Sequence, residues 1–257
     1  KAEIDFEVIY NTTTVEAPQT IRHITEVFKK LKNKGIRCSR IKPMYRGESV
    51  NMFSLIIKKG IPPTRLMRYC CAIFKETSTP HRIVAVGVRA AESRNRQGRS
   101  DFVTKEKTKN KALCFSLEHT KEVFQEAKKK DPIWDCTLVK KARENKSLIV
   151  NPVYEWTDRD IWDYIRQNQI PYNRLYDMGF TRVGCVLCPF SSKGDKLRDE
   201  FFFPKIKQNY ILAFDRIVKS GRLENFKNGE EMYKWWIGDD RLPGQFEFDF
   251  IKNEEVK

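Results

Sequence analysis

Two cysteine pairs, Cys70-Cys71 and Cys185-x-x-Cys188, lie more than a hundred residues apart and constrain the sequence more than any other feature. Four thiolates are the ligand set of a tetrahedral zinc ion or of a cubane iron–sulfur cluster. Adjacent cysteine side chains diverge, which suits two iron corners of a cluster, whereas structural zinc sites usually place two to four residues between paired cysteines. The pattern favours a [4Fe-4S] cluster and leaves zinc or unligated thiols as alternatives.

Three further cysteines stand apart and are expected to be buried, unreactive thiols; they are Cys38, Cys114 and Cys136. A total of seven cysteines at these spacings is not the pattern of a small disulfide-linked secreted domain. No apolar run approaches the roughly 20 residues that span a bilayer, so we expect a protein without a membrane partner. Reduced thiols and iron–sulfur chemistry predict a cytoplasmic location.

The chain is strongly basic, with 49 lysines and arginines against 34 aspartates and glutamates and a net charge of +15. A basic surface attracts phosphates and promotes encounters with nucleic acid. A solvated, lysine-rich surface without any partner would show the same excess. The charge therefore favours an anionic substrate, with DNA and tRNA among the candidates, and identifies none.

Strand and helix patterns alternate along the chain, which predicts an α/β fold with a mostly parallel, twisted sheet flanked by helices. The strand patterns are Ile4–Tyr10, Arg37–Lys42, the apolar run Arg82–Val88, expected to be a buried central strand, and Leu148–Val150. The helix patterns are Pro18–Lys34, Val50–Lys59, a helix capped by Thr157 with Ile161, Tyr164 and Ile165 buried, and Phe201–Val218 anchored by Phe202, Tyr210 and Phe214. We expect one main domain at residues 1–190 and a helical C-terminal extension at 191–257.

A basic loop follows the apolar run that ends at Val88. Ligands of open parallel sheets bind where strands end, so this loop is placed to contact phosphate. Gly87 permits a sharp turn, and Ser93 could donate to an oxyanion. Arginines at 89, 94 and 96 can hold phosphate or sulfate oxygens with paired donors. A loop of solvated arginines is the alternative interpretation.

Four segments, in order along the chain, resemble the phosphoadenosine phosphosulfate (PAPS) reductase family of the adenine-nucleotide α-hydrolase (PP-loop) superfamily. They are Arg68-Tyr69-Cys70-Cys71, Gly87–Ser93, Asn151–Trp162, and Ile170–Phe180 running into Gly184-Cys185-Val186-Leu187-Cys188. In the cluster-bearing branch, which includes adenylylsulfate reductases and is similar to the ATP pyrophosphatases of DNA phosphorothioation, a Cys-Cys pair and a later C-x-x-C hold a [4Fe-4S] cluster. The resemblance implies the same ligand set on Cys70, Cys71, Cys185 and Cys188.

The resemblance also implies that ATP or an adenylylated sulfonucleotide binds to two loops. The implied contacts are Asn11, Thr12, Thr13, Gly87, Arg89, Glu92 and Ser93. Arg89 and Arg96 are implied to stabilise charge at the reacting phosphate. The family's Ser-Gly-Gly-x-Asp-Ser pyrophosphate loop is not found in this sequence, so we expect the first strand and that loop to precede Ile4. Asn11-Thr12-Thr13 stands where the family often has Asp-Thr-Gly.

Residues 189–257 contain no cysteine, whereas sulfonucleotide reductases of the family use a nucleophilic cysteine near the C terminus. This difference favours an ATP-using sulfur-transfer enzyme, similar to the phosphorothioation pyrophosphatases and to cluster-dependent tRNA thiolases. Its expected acceptor is a nucleic acid or a related molecule, and its sulfur donor a protein such as a cysteine desulfurase. The second hypothesis is an adenylylsulfate or phosphoadenylylsulfate reductase that uses an external thiol. The third is a non-catalytic nucleotide- or nucleic-acid-binding module with structural zinc.

Overall fold

The structure is a computed structural model that describes residues 5–76, 83–92, 102–105, 112–115 and 147–238. The chain divides into two compact units. The first unit comprises residues 1–75 and 173–257, and the second comprises residues 76–172. The predicted boundary at residue 190 stays a prediction. None of the described helices is both long and apolar enough to cross a membrane.

The first unit begins with two parallel strands joined by a helix. Its elements are β1 (Glu7–Asn11), α1 (Pro18–Lys32), β2 (Arg37–Ile41), β3 (Met44–Tyr45), β4 (Glu48–Ser49), α2 (Met52–Lys59), α3 (Tyr69–Cys71), α4 (Lys193–Phe202), α5 (Pro204–Lys219) and α6 (Gly229–Ile237). β1 pairs with β2 in parallel, with Glu7 opposite Arg37. The predicted strands and helices of this segment are confirmed within a few residues at each end.

Helix α2 shows how local sequence sets its ends. Asn51 and Ser54 form a reciprocal capping box at its start, which satisfies two backbone N–H groups. Gly60 ends it in the left-handed conformation, with φ of 71°. The helix then buries Met52, Leu55 and Ile56 in the core.

Replacing Gly60 by alanine is expected to lower the free energy of unfolding by about 1–2 kcal/mol, because a left-handed backbone disfavours a Cβ atom. That Cβ would also lie 2.8 Å from Arg222 Cδ. Gly194→Ala is the matched control, because Gly194 lies in helix α4 and an added Cβ would meet nothing within 4 Å. Urea unfolding of both variants tests this. Equal midpoints for the two variants would contradict the role given to Gly60.

The core of the first unit is rich in aromatic side chains from the last two helices. Phe214 and Tyr233 are essentially inaccessible to solvent, and Tyr210 stacks at 4.8 Å from Trp236. Trp236 Nε1 donates a hydrogen bond to Pro63 O at 2.6 Å, and its ring is buried in this core. These contacts hold helices α5 and α6 together, and Cys70 and Cys185 pack against the core that they form.

The predicted helix 201–218 is wrong as a single element. Phe203 leaves the helical conformation, with φ of −128° and ψ of 54°, and Pro204 starts helix α5. A proline at the first position of a helix has no N–H to continue the preceding one, and it excludes the α conformation from the residue before it. Phe202 is 39% exposed and is not the predicted anchor, whereas Tyr210 and Phe214 are buried as predicted.

In its described residues, the second unit has a four-stranded sheet, a short 3-10 helix at Ala90–Glu92 and one α-helix. The strands are β5 (Ile83–Ala85), β6 (Phe102–Lys105), β7 (Ala112–Phe115) and β8 (Ser147–Val150), and the helix is α7 (Asp158–Gln167). The strand order is β5-β8-β6-β7, with β5 parallel to β8 and the other two pairings antiparallel.

The predicted buried central strand is wrong in its position. Within the described strands β5 lies at the edge of its sheet, and Ala85 is exposed. The described sheets are also mixed rather than mostly parallel, because β6 runs antiparallel to both of its neighbours. An apolar run predicts that its residues are buried, but it does not predict which distant strand pairs with it.

Helix α7 begins where the sequence predicts. Thr157 and Asp160 form a capping box, with Asp160 Oδ2 accepting from Thr157 N at 2.8 Å. The predicted buried stripe is wrong at Tyr164, which is 47% exposed and packs edge-on against Trp156 at 5.1 Å. Ile161 and Ile165 are half-buried.

Candidate functional site

Both cysteine pairs lie in the first unit, and all four thiols are free and half-buried. Cys70 and Cys71 occupy the short helix α3, which continues into a π-helical turn at Ala72–Glu76. The charges of Cys71, Cys185 and Cys188 all act on Cys70. The two segments, distant in sequence, therefore bring their sulfur atoms into one neighbourhood.

Arginine side chains join the segment before the first pair to the segment after the second. Arg65 Nε donates to Pro189 O at 3.1 Å. The Arg68 guanidinium lies 4.5 Å from the centre of the Phe190 ring and 3.8 Å from Cys71 Sγ. These contacts hold the two cysteine segments against each other from the outer side.

The C-x-x-C segment turns at Leu187, which is fully buried and has φ of 57°. This left-handed conformation is uncommon for a residue other than glycine and is kept only where neighbours hold it. Leu187 N donates to Asp199 Oδ2 at 2.7 Å, and Asp199, on helix α4, is 8% exposed. A buried carboxylate thus fixes the turn between Cys185 and Cys188.

The electrostatics of the first pair are asymmetric. The hydrogen bond that Cys70 shares with Cys71 raises the pKa of Cys70 and lowers that of Cys71. Arg68 and Lys75 further lower the pKa of Cys71 by favouring its thiolate. Burial alone would lower the pKa of Lys75, but the charges of the four cysteines raise it. Of the four thiols, Cys71 is the one at which the surroundings favour the thiolate.

Burial raises the pKa of Cys185, while Lys75 and a hydrogen bond to Thr13 oppose that rise. The Cys185 thiol donates to Thr13 Oγ1 at 3.4 Å. Cys185 also forms an antiparallel bridge with Glu16, and Val186 N donates to Val15 O at 2.8 Å. The second cysteine pair is therefore bonded to the loop that follows β1.

The donor set fits an iron–sulfur cluster in number and type. Among the described residues, no three or more His, Cys, Asp or Glu side chains form a group that could hold a metal ion. A zinc ion draws its ligand sulfurs to about 2.3 Å from one point, whereas a [4Fe-4S] cluster takes one thiolate at each of four separate iron corners. Four thiols match either group in number, and the [4Fe-4S] cluster stays a prediction.

The loop after β1 contains the first set of predicted nucleotide contacts. Asn11 Nδ2 donates to Lys75 O at 3.4 Å, and its buried Oδ1 has no hydrogen-bond partner among the described residues. Thr12 N donates to Ile41 O at 3.2 Å and extends the β1–β2 pairing. Thr13 is 4% exposed. A buried acceptor without a donor, at the end of a parallel strand, is suited to a ligand hydroxyl or amino group.

Thr14 and Glu16 were not predicted and shape this loop. Thr14 has φ of 67°, and its Oγ1 accepts from Met52 N at 2.8 Å at the start of helix α2. The Glu16 carboxylate accepts from Tyr10 Oη at 3.0 Å and from Thr13 N. A β-branched residue at positive φ has no signature in a single sequence, and neither does a carboxylate that folds back on its own loop.

The second set of predicted contacts lies in the second unit. Arg89 Nη2 donates to Asp158 Oδ1 at 2.6 Å and Nη1 to Trp156 O at 3.3 Å, while Nε is 3.8 Å from Glu92. Two of the three guanidinium nitrogens of Arg89 thus donate to protein acceptors, which ties the loop to the start of helix α7. Gly87 does not have a positive φ, and an added Cβ would meet nothing within 4 Å, so its backbone does not require glycine; its nucleotide contact stays a prediction.

An Arg89→Ala variant separates the observed contact from the predicted phosphate contact. Asp158 is 81% exposed, so losing the ion pair is expected to cost only about 1 kcal/mol of stability. Asp158→Ala is the matched variant, because it breaks the same pair and leaves the guanidinium. If Arg89 also binds phosphate, only Arg89→Ala weakens nucleotide binding measured by calorimetry. Equal nucleotide affinities in the two variants would make Arg89 a purely structural residue.

A cavity of about 130 Å³ adjoins Cys185 and Cys188. Its wall includes three basic side chains and two carboxylates, with Phe180 on the apolar side; the charged residues are Lys75, Arg182, Arg198, Asp195 and Asp199. This volume is below the roughly 300 Å³ at which pockets for larger organic ligands begin. The cavity is large enough for water or a small ion.

Several predicted residues fall outside the described residues. They are Ser93, Arg94, Arg96 and Cys136. For Cys114 only the strand backbone is described. Cys38 lies half-buried in β2, and its Sγ donates weakly to Ile36 O at 3.6 Å.

An α/β chain with a four-cysteine centre beside a strand-end loop defines a class of nucleotide-binding protein. The phosphoadenosine phosphosulfate reductase domain model matches residues 1–191. Since this match covers well over half of the 257 residues, the chain belongs to the phosphoadenosine phosphosulfate reductase family. The predicted family is confirmed.

Individual relatives match this chain with low sequence identity or over short segments. An uncharacterized protein of Methanocaldococcus jannaschii is 26% identical over 206 residues, covering 80% of this chain and 35% of its own length. A second uncharacterized protein of that organism is 27% identical over 107 residues, or 41% of this chain and 24% of its own length. An adenosine 5'-phosphosulfate reductase of Oceanobacillus iheyensis is 42% identical over 51 residues, about a fifth of each chain. The chain thus spans about a third or less of the length of these relatives.

Proposed function

We propose that this chain is part of an ATP-using iron–sulfur enzyme that transfers sulfur to a nucleic acid or a related acceptor. Cys70, Cys71, Cys185 and Cys188 hold a [4Fe-4S] cluster, which supplies binding or activation of sulfur. Asn11, Thr12 and Thr13 contact the adenine nucleotide. The observation that carries the proposal is the gathering of four free thiols around Lys75, directly against the strand-end loop.

The proposed reaction has two steps. An acceptor oxygen attacks the α-phosphorus of ATP, the bond to the β-phosphate breaks, and pyrophosphate leaves. A sulfur nucleophile at the oxidation level of sulfide then forms a bond to the acceptor and displaces AMP. A donor protein such as a cysteine desulfurase carries its sulfur as a persulfide, so an added thiol releases sulfide from it and is itself oxidised to a disulfide.

The charge of the chain supports a nucleic-acid acceptor. The net charge of +15 suits a polyanionic acceptor such as DNA or tRNA.

Release of pyrophosphate tests this proposal. The longest natural chain that contains this sequence, purified without oxygen, is expected to release pyrophosphate from ATP and to do so faster with DNA or tRNA. Hydrolysis to ADP and phosphate alone would count against an attack on the α-phosphorus. No pyrophosphate with any nucleic acid would overturn the proposal.

The names of several relatives favour a second candidate, an adenosine 5'-phosphosulfate reductase whose attacking thiol comes from another protein. In that reaction a thiol attacks the sulfonate sulfur, AMP leaves, and a second thiol releases sulfite while a disulfide forms. Sulfite release from adenylylsulfate with thioredoxin and the intact cluster would support it. Failure to turn over under those conditions would exclude it.

A further inference from the structure

The end of β1 and the loop after it contact the segments that carry the two cysteine pairs. Asn11 Nδ2 donates to the backbone of Lys75, four residues after Cys71, at 3.4 Å. Thr13 Oγ1 lies 3.4 Å from Cys185 Sγ. Two of the proposed nucleotide contacts, Asn11 and Thr13, are therefore bonded to the two cysteine segments.

The position of the Thr13 hydroxyl is fixed by its surroundings. Thr13 is 4% exposed, and its backbone N–H is held by the Glu16 carboxylate, which also accepts from Tyr10 Oη at 3.0 Å. Glu16 in turn forms the antiparallel bridge with Cys185. Thr13 directly follows Asn11 and Thr12 in the chain, so a nucleotide that binds to these residues lies close to the group that touches the sulfur.

A hydroxyl near a cysteine sulfur acts on the charge of that sulfur. When Cys185 is a thiolate ligand, the Thr13 hydroxyl becomes the donor of the same hydrogen bond. Such a bond stabilises the more negative, reduced state of a cluster and raises its reduction potential. The effect is strong here because burial lowers the local dielectric constant.

We propose that Thr13 is a positioning residue that couples nucleotide binding to the reduction potential of the cluster through its hydrogen bond to Cys185. This coupling rests on the proposed function, since it requires both the cluster and the nucleotide. Coupling free energies are reciprocal, so the oxidation state of the cluster changes nucleotide affinity by the same factor. A tenfold change in Kd corresponds to a shift of about 59 mV for one electron.

The test is a redox titration of the anaerobic protein with and without a non-hydrolysable ATP analogue, repeated with adenylylsulfate. We expect the potential to shift with one of these nucleotides and the Kd values of oxidised and reduced protein to differ by about threefold or more, in agreement with that shift. Thr13→Val is expected to have a more negative potential than the wild type and to lose the nucleotide-dependent shift. Thr13→Ser, which keeps the hydroxyl, is expected to keep both.

Thr20→Val is the matched control. Thr20 is also buried and its Oγ1 accepts from Asn173 Nδ2 at 3.0 Å, so the variant loses a buried hydroxyl with no contact to sulfur among those described. It is expected to lose stability and to keep the wild-type potential. Two results would overturn the coupling and leave the proposed function standing. One is a wild-type reduction potential that does not change when nucleotide binds. The other is a Thr13→Val protein with the same reduction potential as Thr20→Val. A wild-type protein without iron, or one that binds neither nucleotide, would overturn both.

Discussion

Replacing Cys185 by alanine is expected to remove nearly all bound iron, from about four atoms per chain to less than about one. The reason is that each iron corner of the proposed cluster depends on one thiolate, and the neighbouring Thr13 hydroxyl is a poor substitute for sulfur. Cys188→Ala is expected to do the same. Iron and acid-labile sulfide, measured on anaerobically purified protein, report the result directly.

Cys38→Ala is the control for these variants. Cys38 lies in β2, is half-buried like the proposed ligands, and makes only a weak contact with Ile36 O. This variant is expected to keep its iron. If Cys38→Ala lost as much iron as Cys185→Ala, loss of fold would explain both results and the ligand assignment would fall.

Replacing Asp199 by alanine is expected to lower the free energy of unfolding by about 2–3 kcal/mol, since the buried Leu187 N–H would lose its charged acceptor. We also expect the variant to lose iron on dilution faster than the wild type, because the turn between Cys185 and Cys188 is then held only by its neighbours. Asp199→Asn keeps an acceptor oxygen and is expected to retain most of both properties. Denaturant unfolding and the rate of iron loss measure the two effects.

The matched control for Asp199 is Asp215→Ala. Asp215 accepts from Gly229 N at 3.4 Å on the neighbouring helix and pairs with Lys219 at 2.7 Å, and neither contact involves a cysteine segment. Its removal is expected to leave iron retention unchanged. Iron loss from Asp199→Ala no faster than from Asp215→Ala would contradict the role of Asp199 in the C-x-x-C turn.

The Asp199 carboxyl is also expected to make the free energy of unfolding depend on pH. Burial raises the pKa of this carboxyl in the folded state, although the Leu187 N–H opposes the rise. The folded state then binds the proton more tightly than the unfolded state, so this contribution to stability is present in full below the unfolded pKa and is lost as pH rises through the folded pKa. Asp199→Asn is expected to abolish this contribution, which unfolding measured across the acid range would show as a flatter profile.

Short-range features of this fold were predictable from sequence. The Thr157–Asp160 capping box and the end of helix α2 at Gly60 depend on residues within a turn of one another. The family resemblance of the cysteine segments was likewise visible, because those motifs are contiguous. Local physical chemistry fixes such features before any distant contact forms.

Long-range features were not predictable in the same way. The edge position of β5 depends on which strands pair beside β8, and the exposure of Tyr164 depends on packing outside helix α7. The hydrogen bond from Leu187 N to the Asp199 carboxylate joins residues that lie more than one helical turn apart in the chain. The left-handed Thr14 lies in a loop, and its side chain accepts from Met52 N at the start of helix α2. A pattern of apolar residues contains none of these pairings.

Metal analysis of the wild-type protein tests the central claim most directly. Iron, zinc and acid-labile sulfide are measured on protein purified without oxygen, together with its visible absorption spectrum. The four-cysteine assignment predicts a brown protein with about four iron and four sulfide per chain. A colourless protein that contains one zinc and no labile sulfide would contradict it.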